Sequence, residues 1–474
     1  MSIGVGNKAG SRKVIVSLLP YALLSASVVA LYGKCAGFDF IPSWDDDAYV
    51  INNLLIRSFS LANLRGIFTG TFVADYAPVD LLSFSADYFF WGLNPAGYHV
   101  TNLVLHALNV ILAFLVVRRI AKRGDVAFIS ALLFAIHPVN VENVAWVSER
   151  KTLVSVFFTF LALLSYLKFR EREGGMANYA LCAVFFVLAV LSKSSAVTLP
   201  LAMIAYEIFI NGERKWKYSI PFFAISMLGA LTVFAHLRSN NIETGPHALA
   251  MLLGTVYPTM LPVYWKYVLT IIWPMNLSGF YDAPYYHSFL DPVVLVSLIG
   301  WIMISGVIFW KCGNGVRFWY LWFWIWFLPV SNIIPIPVFY ADRYMYMPAI
   351  GAFSIMAMFI TGIFGGLSVR MQGMSMKKAF GYVAITVIVS FYAIIAFNRL
   401  DVWQNEVVFW EDTVSKSPNQ FKPHVNLGYA YDMRGRYIEA ESQYEAAQRI
   451  YPGDMGVLEN LRMVRIKKML KYGR

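Results

Sequence analysis

Apolar residues run along this chain in blocks of roughly 18 to 22, each long enough to cross a bilayer core. Short polar loops separate the blocks. A backbone in lipid must satisfy its own hydrogen bonds, so the blocks predict α-helices. The first block runs from Val14 to Ala36 and the second from about Tyr98 to Val117. A short third ends at "AIHPVNVENVAWVSERK", a fourth at "LKFREREGG", a fifth at "LSKSSAV", a sixth at "NGERKWKY" and a seventh near His236. The stretch Leu261 to Trp273 reads either as a span or as an interfacial helix. Taken as interfacial, it leaves four later spans and a total of about eleven. The fold class expected is all-α, a polytopic membrane bundle.

Basic residues orient the bundle. Lys and Arg favour cytoplasmic loops, and "RRIAKRG" (118–124), "KCGNGVR" (311–317) and "VRMQGMSMKK" (369–378) then all lie inside with the N-terminus. The stretch 37–97, which holds the amphipathic segment "SLANLRGIFTG", lies outside, and so does everything after about Asn398. The first block follows Lys8, Arg12 and Lys13 as a signal peptide would. It lacks an A-x-A cleavage site and reads as an uncleaved span.

Composition agrees with the pattern: mean hydropathy is +0.56, with 58% hydrophobic and 14% charged residues. A net charge of +11 would suit nucleic acid, but the basic residues sit in short loops as topology signals, so no nucleic-acid partner is expected. Three cysteines, Cys35, Cys182 and Cys312, make neither a disulfide framework nor a metal-ligand spacing.

After Arg399 the pattern changes to charged helices, which divides the chain into a membrane domain, 1–398, and an external domain, 399–474. "PHVNLGYAYDMRGRYIEAESQYEAAQRIYPGD" fits a tetratricopeptide repeat (TPR), with Leu427, Gly428 and Tyr431 on one helix, Gly435 in the turn, and Ala440, Tyr444 and Ala447 on the next. So short an array is expected to lean on the membrane domain or on a partner, and to bind peptide or protein.

Ionisable groups near a bilayer are costly and concentrate at function. Here they fall on the external side: Asp45, Asp46, Asp47, Asp75, Glu142, Glu149, Arg150, Lys151, Lys193, Arg238, Asp282, Asp342 and Arg343. Carboxylates there can take a proton or hold a metal, and Arg and Lys can hold a phosphate. Each has a plainer reading as a loop charge, cap, ion pair or snorkelling anchor. Asn102, His106 and Asn109, spaced i, i+4, i+7, are expected to hydrogen-bond between helices.

Five segments carry a resemblance: "SWDDDAYVINNLLIRSFSLANLRGIFT", "YAPVDLLSFSADYFFWGLNPAGYHVTNLVLHALN", "HPVNVENVAWVSERKTLVSVFF", "SKSSAVTLPLAMIAYE" and "ADRYMYMPAIGAF". In that order they resemble the transmembrane O-mannosyltransferases with tetratricopeptide repeats, of the GT-C glycosyltransferase class, in a bacterial form. The resemblance implies a bacterial cytoplasmic-membrane enzyme that takes a sugar from a polyprenyl phosphate and inverts its anomeric centre. The family's acidic pair falls on Asp45 and Asp46, with Asp45 slightly ahead as base. Asp47 departs from the bacterial pattern. Arg343, Lys193, Arg150 and Lys151, in that order, are the candidates for the donor phosphate. Glu142 either orients an active-site group or shares a divalent metal with the aspartates; no metal is assigned. The acceptor expected is a protein hydroxyl, with a lipid or envelope glycan as the alternative. A lipid-linked sugar flippase is the non-enzymatic reading.

Overall fold

In the computed structural model, residues 6–473 are described apart from 74, 172–173, 214, 240–250, 283, 335, 337 and 367–374. Of the sequence expectations, part of the 369–378 loop and the side chain of Arg238 lie outside the described residues. Helices dominate, and the one β-feature among the described residues is the isolated bridge between Phe72 and Asp75.

Six described helical segments are long and apolar enough to cross a membrane: Ser17–Gly37, Pro95–Ala121, Val147–Phe169, Ser194–Asn211, Pro292–Lys311 and Met376–Trp403. Gly124–Ile136 and Pro138–Ala145 make a further candidate bent by 54°. Met176–Ser192 and Pro348–Phe364 are apolar but shorter. The count of about eleven therefore includes segments that fall below the length of a full span. The stretch around Leu261 belongs to a helix, Tyr257–Ile272, of only 16 residues with Pro262 inside it.

Local chemistry sets the boundaries. Asn94 caps Pro95–Ala121 by accepting from Ala96 N, and Pro95 sits where a missing N–H costs nothing. The bend after Ile136 falls at Pro138, which cannot donate to the helix. His137 covers the break, with Nδ1 accepting from Val139 N at 3.2 Å and Nε2 meeting Ile271 O at 2.9 Å. That bend turns the chain after Ile136 toward Ser148, which meets Asp46 of the loop after the first helix.

The polar stripe joins helices. Asn102 Nδ2 donates to Trp146 O at 3.2 Å, and Asn109 Nδ2 to Leu153 O at 2.9 Å. His106 meets the Tyr346 hydroxyl at 2.7 Å. Satisfied buried polar groups of this kind fix helix register.

The tail forms four helices, Glu406–Lys416, Phe421–Met433, Tyr437–Ile450 and Met455–Tyr472. Gly428 admits the Tyr444 ring, because a Cβ at 428 would come within 2.7 Å of it. Gly435 turns the chain at φ +68°, where glycine has no penalty. Apolar packing is continuous from the bundle through Trp403 and Phe409 to Leu427 and Tyr444. The tail therefore leans on the membrane portion of its own chain.

Candidate functional site

The loop after the first helix carries Pro42–Ile51, an irregular helical segment whose backbone leaves the helical region at Trp44 (φ −118°, ψ −129°). That break falls just before the three aspartates, whose surroundings then differ. Asp46 turns inward and is 1% exposed. Its Oδ2 accepts from Ile41 N at 2.8 Å, and its Oδ1 accepts from Ser148 N at 3.0 Å and from the Ser148 hydroxyl. Burial pushes its carboxyl up to about 6 against the pull of these donors. Asp47 accepts from Asn52 Nδ2 at 2.7 Å, a local turn contact.

Asp45 has neither a hydrogen-bond nor an ion-pair partner among the described residues, although it is partly buried. Burial raises its carboxyl, and the charges of Lys151 and Arg343 oppose that rise. A carboxylate with an upward shift, free lone pairs and cations nearby is suited to accept a proton.

Glu142, at 2% exposure, accepts from the Arg343 backbone N at 3.1 Å and pairs with Arg343 Nη1 at 2.6 Å. Double contact with one residue fixes the "ADRY" turn and aims the guanidinium. Glu149 pairs with Lys193 Nζ at 2.5 Å, and Lys193 also donates to Thr152 Oγ1 at 2.6 Å. Burial pulls the Lys193 ammonium down, opposed by Glu149.

Lys193 and Arg343 line one small open cleft with a cavity volume of ≈ 40 Å³. Its walls are mixed. Ser195, Thr152 and Tyr344 supply hydroxyls, while Val156, Ala196, Trp326, Val330 and Met347 supply apolar surface. Two cations beside an apolar wall suit an anionic group joined to hydrocarbon.

Arg150 requires a correction. It is 0% exposed, and its guanidinium is consumed within the protein. Nε donates to Asn102 Oδ1 at 2.7 Å, Nη2 donates to Tyr98 O at 2.8 Å and pairs with Asp87 at 2.6 Å, and the group lies 4.4 Å from the Phe84 ring. Nη1 faces Ser83 O at 3.5 Å, so Arg150 is turned into the protein and locks the loop helix Pro78–Trp91 to the span. Lys151 stands between: it pairs with Asp75 at 3.3 Å, donates to the Tyr49 hydroxyl at 3.3 Å and does not line the cleft. Its charge reaches Asp45.

Sequence reasoning missed Ser148, which anchors Asp46, and left Glu149 without a role. Their signal was adjacency: "SER" places both beside Arg150 at the end of the folded-back segment. It also missed Trp410, whose contacts with the loop span 367 positions in sequence. Asp342 does not pair with its neighbour Arg343, whose partner is Glu142. Instead its Oδ1 accepts from the Tyr281 hydroxyl at 2.6 Å, and burial beside Glu142 raises its carboxyl. Among the described residues no three His, Cys, Asp or Glu side chains gather as metal ligands.

Residues 92–238 match the dolichyl-phosphate-mannose-protein mannosyltransferase domain. The chain is 26% identical over 479 residues to protein O-mannosyl-transferase F38B6.6 of Caenorhabditis elegans, covering 94% of this chain and 64% of that protein. It is 25% identical over 541 residues to human protein O-mannosyl-transferase TMTC1, covering 97% and 58%. The chain thus spans less than two thirds of the length of these relatives. Among solved structures it is similar to the Archaeoglobus fulgidus oligosaccharyltransferase in the apo form (11% identity, 88% of this chain and 59% of that one, TM-score 0.47). It is also similar to ArnT from Cupriavidus metallidurans bound to undecaprenyl phosphate (11% identity, 96% and 88%, TM-score 0.41).

Proposed function

We propose that this chain, a member of the protein O-mannosyltransferase family by sequence, moves a sugar from a polyprenyl-phosphate donor to a protein Ser or Thr hydroxyl. The reaction takes place at the external face of the membrane, with Asp45 as the base. The observation that carries the reading is Asp45 itself: the one unpartnered carboxylate of the first-loop pair, within reach of the charges that flank the cleft.

The steps follow from the side chains. Asp45 takes the proton of the acceptor hydroxyl as its oxygen bonds to the anomeric carbon. The bond from that carbon to the phosphate oxygen breaks, and its electron pair leaves on the lipid phosphate. Attack from the face opposite the phosphate inverts the centre. Lys193 and Arg343 stabilise the charge released on the phosphate, so no proton donor is needed. Glu142 and Glu149 hold these two cations in place, and the apolar wall accepts the first part of the lipid tail. Asp46 supports the loop through Ser148 and Ile41. If a divalent metal binds, the Asp45 carboxylate is its available first-loop ligand, and the metal would supply charge stabilisation at the phosphate.

The localisation proposed is a bacterial cytoplasmic membrane, N-terminus inside and tail outside. The basic C-terminal end of Pro95–Ala121, with Arg118 and Arg119, opposes the end that carries Asp45 and the cleft. The tail is proposed as a tetratricopeptide unit that presents peptide.

The test uses purified full-length protein with undecaprenyl-phosphate-linked mannose, offered either a Ser/Thr-rich peptide or a lipid-linked glycan. Transfer to peptide that is lost in Asp45→Asn supports the reading. Transfer to the glycan alone replaces the acceptor, and movement of donor across vesicles without transfer replaces the enzyme with a flippase.

A further inference from the structure

Asp45 is held from both sides, and one side is the tail. On its C-terminal flank, Asp46 is fixed to Ile41 and Ser148. On its N-terminal flank, Trp44 lies in an aromatic stack. It sits 4.1 Å from Trp146 with 29° between the planes, 5.0 Å from Phe409 and 5.4 Å from Trp410. Phe409 and Trp410 belong to the tail helix Glu406–Lys416.

Polar contacts pin the same point. Trp410 Nε1 donates to Ser43 Oγ at 2.7 Å, and Ser43 N donates to Glu406 Oε2 at 3.3 Å. Glu406 in turn pairs with Arg434 at 2.5 Å, at the end of the next tail helix. Upstream, Asp39 N donates to Gln404 O at 2.9 Å. None of these tail residues lines the cleft. Their contacts reach Ser43 and Trp44, and Trp44, the residue before Asp45, is where the backbone departs from helix.

We infer that Trp410 and Glu406 are positioning residues: the tail helix fixes Ser43 and Trp44, and through them sets the place of the Asp45 carboxylate. The inference rests on Asp45 being the base. A base must sit within hydrogen-bond reach of the proton it takes, and a displacement of about 1 Å can cost around a hundredfold in rate. A loop that breaks from helix one residue before its catalytic group cannot supply that precision alone. The tail supplies it and at the same time covers the loop from solvent.

The experiment uses the full chain, undecaprenyl-phosphate-linked mannose and a Ser/Thr-rich peptide. Four variants are compared: Ser43→Ala and Trp410→Phe, which remove the acceptor and the donor of one hydrogen bond; Ser43→Thr, which keeps the hydroxyl; and Asp45→Asn. In Ser43→Ala and Trp410→Phe, kcat per monodisperse protein falls about tenfold or more while the KM for donor stays within about twofold. The acid limb of the pH profile moves to lower pH, because a freed Asp45 is less buried. Ser43→Thr keeps at least half of the kcat. Carbodiimide labelling of Asp45, read by peptide mass spectrometry, rises severalfold in the two loosened variants and needs no turnover.

Wild-type kcat in both loosened variants, or unchanged Asp45 labelling, overturns the positioning role while an inactive Asp45→Asn leaves the base in place. Equal losses in Ser43→Ala and Ser43→Thr, or a fall in kcat with a fixed acid limb, also overturn it by marking general loosening. An active Asp45→Asn removes the base and this inference together.

Discussion

Replacing Arg150 by Met distinguishes a structural cation from a substrate-binding one. The guanidinium is fully buried, pairs with Asp87 at 2.6 Å and donates to Asn102 Oδ1 and Tyr98 O. Methionine fills much of the same volume but leaves Asp87 as a buried carboxylate whose one remaining donor is the Thr101 hydroxyl at 2.7 Å. Removing one member of a buried ion pair costs about 3–5 kcal/mol. The total stability of a protein is about 5–15 kcal/mol, so the loss is a large share of the whole. The expected phenotype is a much lower melting temperature in detergent and a small monodisperse fraction. Asp87→Asn/Arg150→Met recovers part of the loss, since the uncompensated charge is then gone, while Asn102 Oδ1 still lacks its donor. Melting followed by tryptophan fluorescence, with size-exclusion profiles after heating, measures both. In whatever Arg150→Met protein folds, the KM for donor stays near wild type. A stable Arg150→Met protein with a raised donor KM refutes the reasoning and returns Arg150 to the phosphate.

Other consequences follow from the same contacts. Lys193→Gln raises the KM for donor about tenfold, measured by varying the lipid-phosphate sugar at saturating peptide; an unchanged KM removes Lys193 from the cleft's function. Asp46 titrates at about 6 in the native protein, above its ordinary 3.8, so the folded chain binds this proton more tightly than the unfolded one. Its stabilisation is complete below the ordinary value and is lost as pH rises through about 6. Asp46→Asn therefore flattens the melting temperature across that window, and an unaltered slope contradicts the assignment. Because Asp45 acts deprotonated and its carboxyl is raised, kcat/KM falls on acidification at a pH above the ordinary value of an aspartate; a limb at or below that value contradicts the burial of Asp45. Gly428→Leu drives a side chain into the Tyr444 ring and costs about 1–3 kcal/mol, seen as faster proteolysis of 421–450.

Much of the architecture was legible because lipid imposes one periodicity on every span. The helices Pro95–Ala121 and Pro292–Lys311 needed only length and apolarity. The inter-helix role of Asn102, His106 and Asn109 followed from their spacing on one helix face. Shorter segments such as Met176–Ser192 were read as spans because apolar character alone says nothing of where packing ends a helix.

The acidic loop was legible as a place but not as a division of labour. Asp45 and Asp46 are chemically identical neighbours; Ser148, 102 positions away, holds Asp46 inward, and Trp410 holds Ser43 from 367 positions away. Arg150 misled for a related reason. A charge at the end of an apolar run looks the same in sequence whether it faces a cleft or a buried aspartate 63 residues earlier. Here the difference is made by Asp87 on a loop helix that folds back against the span.

The central claim is that Asp45 accepts the proton in sugar transfer. It is tested most directly by full-length protein in liposomes with radiolabelled undecaprenyl-phosphate-linked mannose and a Ser/Thr-rich peptide, comparing wild type with Asp45→Asn. The account predicts label on peptide hydroxyls with wild type. It predicts at least a hundredfold less with Asp45→Asn at an unchanged melting temperature. Equal transfer by the two proteins contradicts it, and so does label that crosses the bilayer on its lipid without ever reaching the peptide.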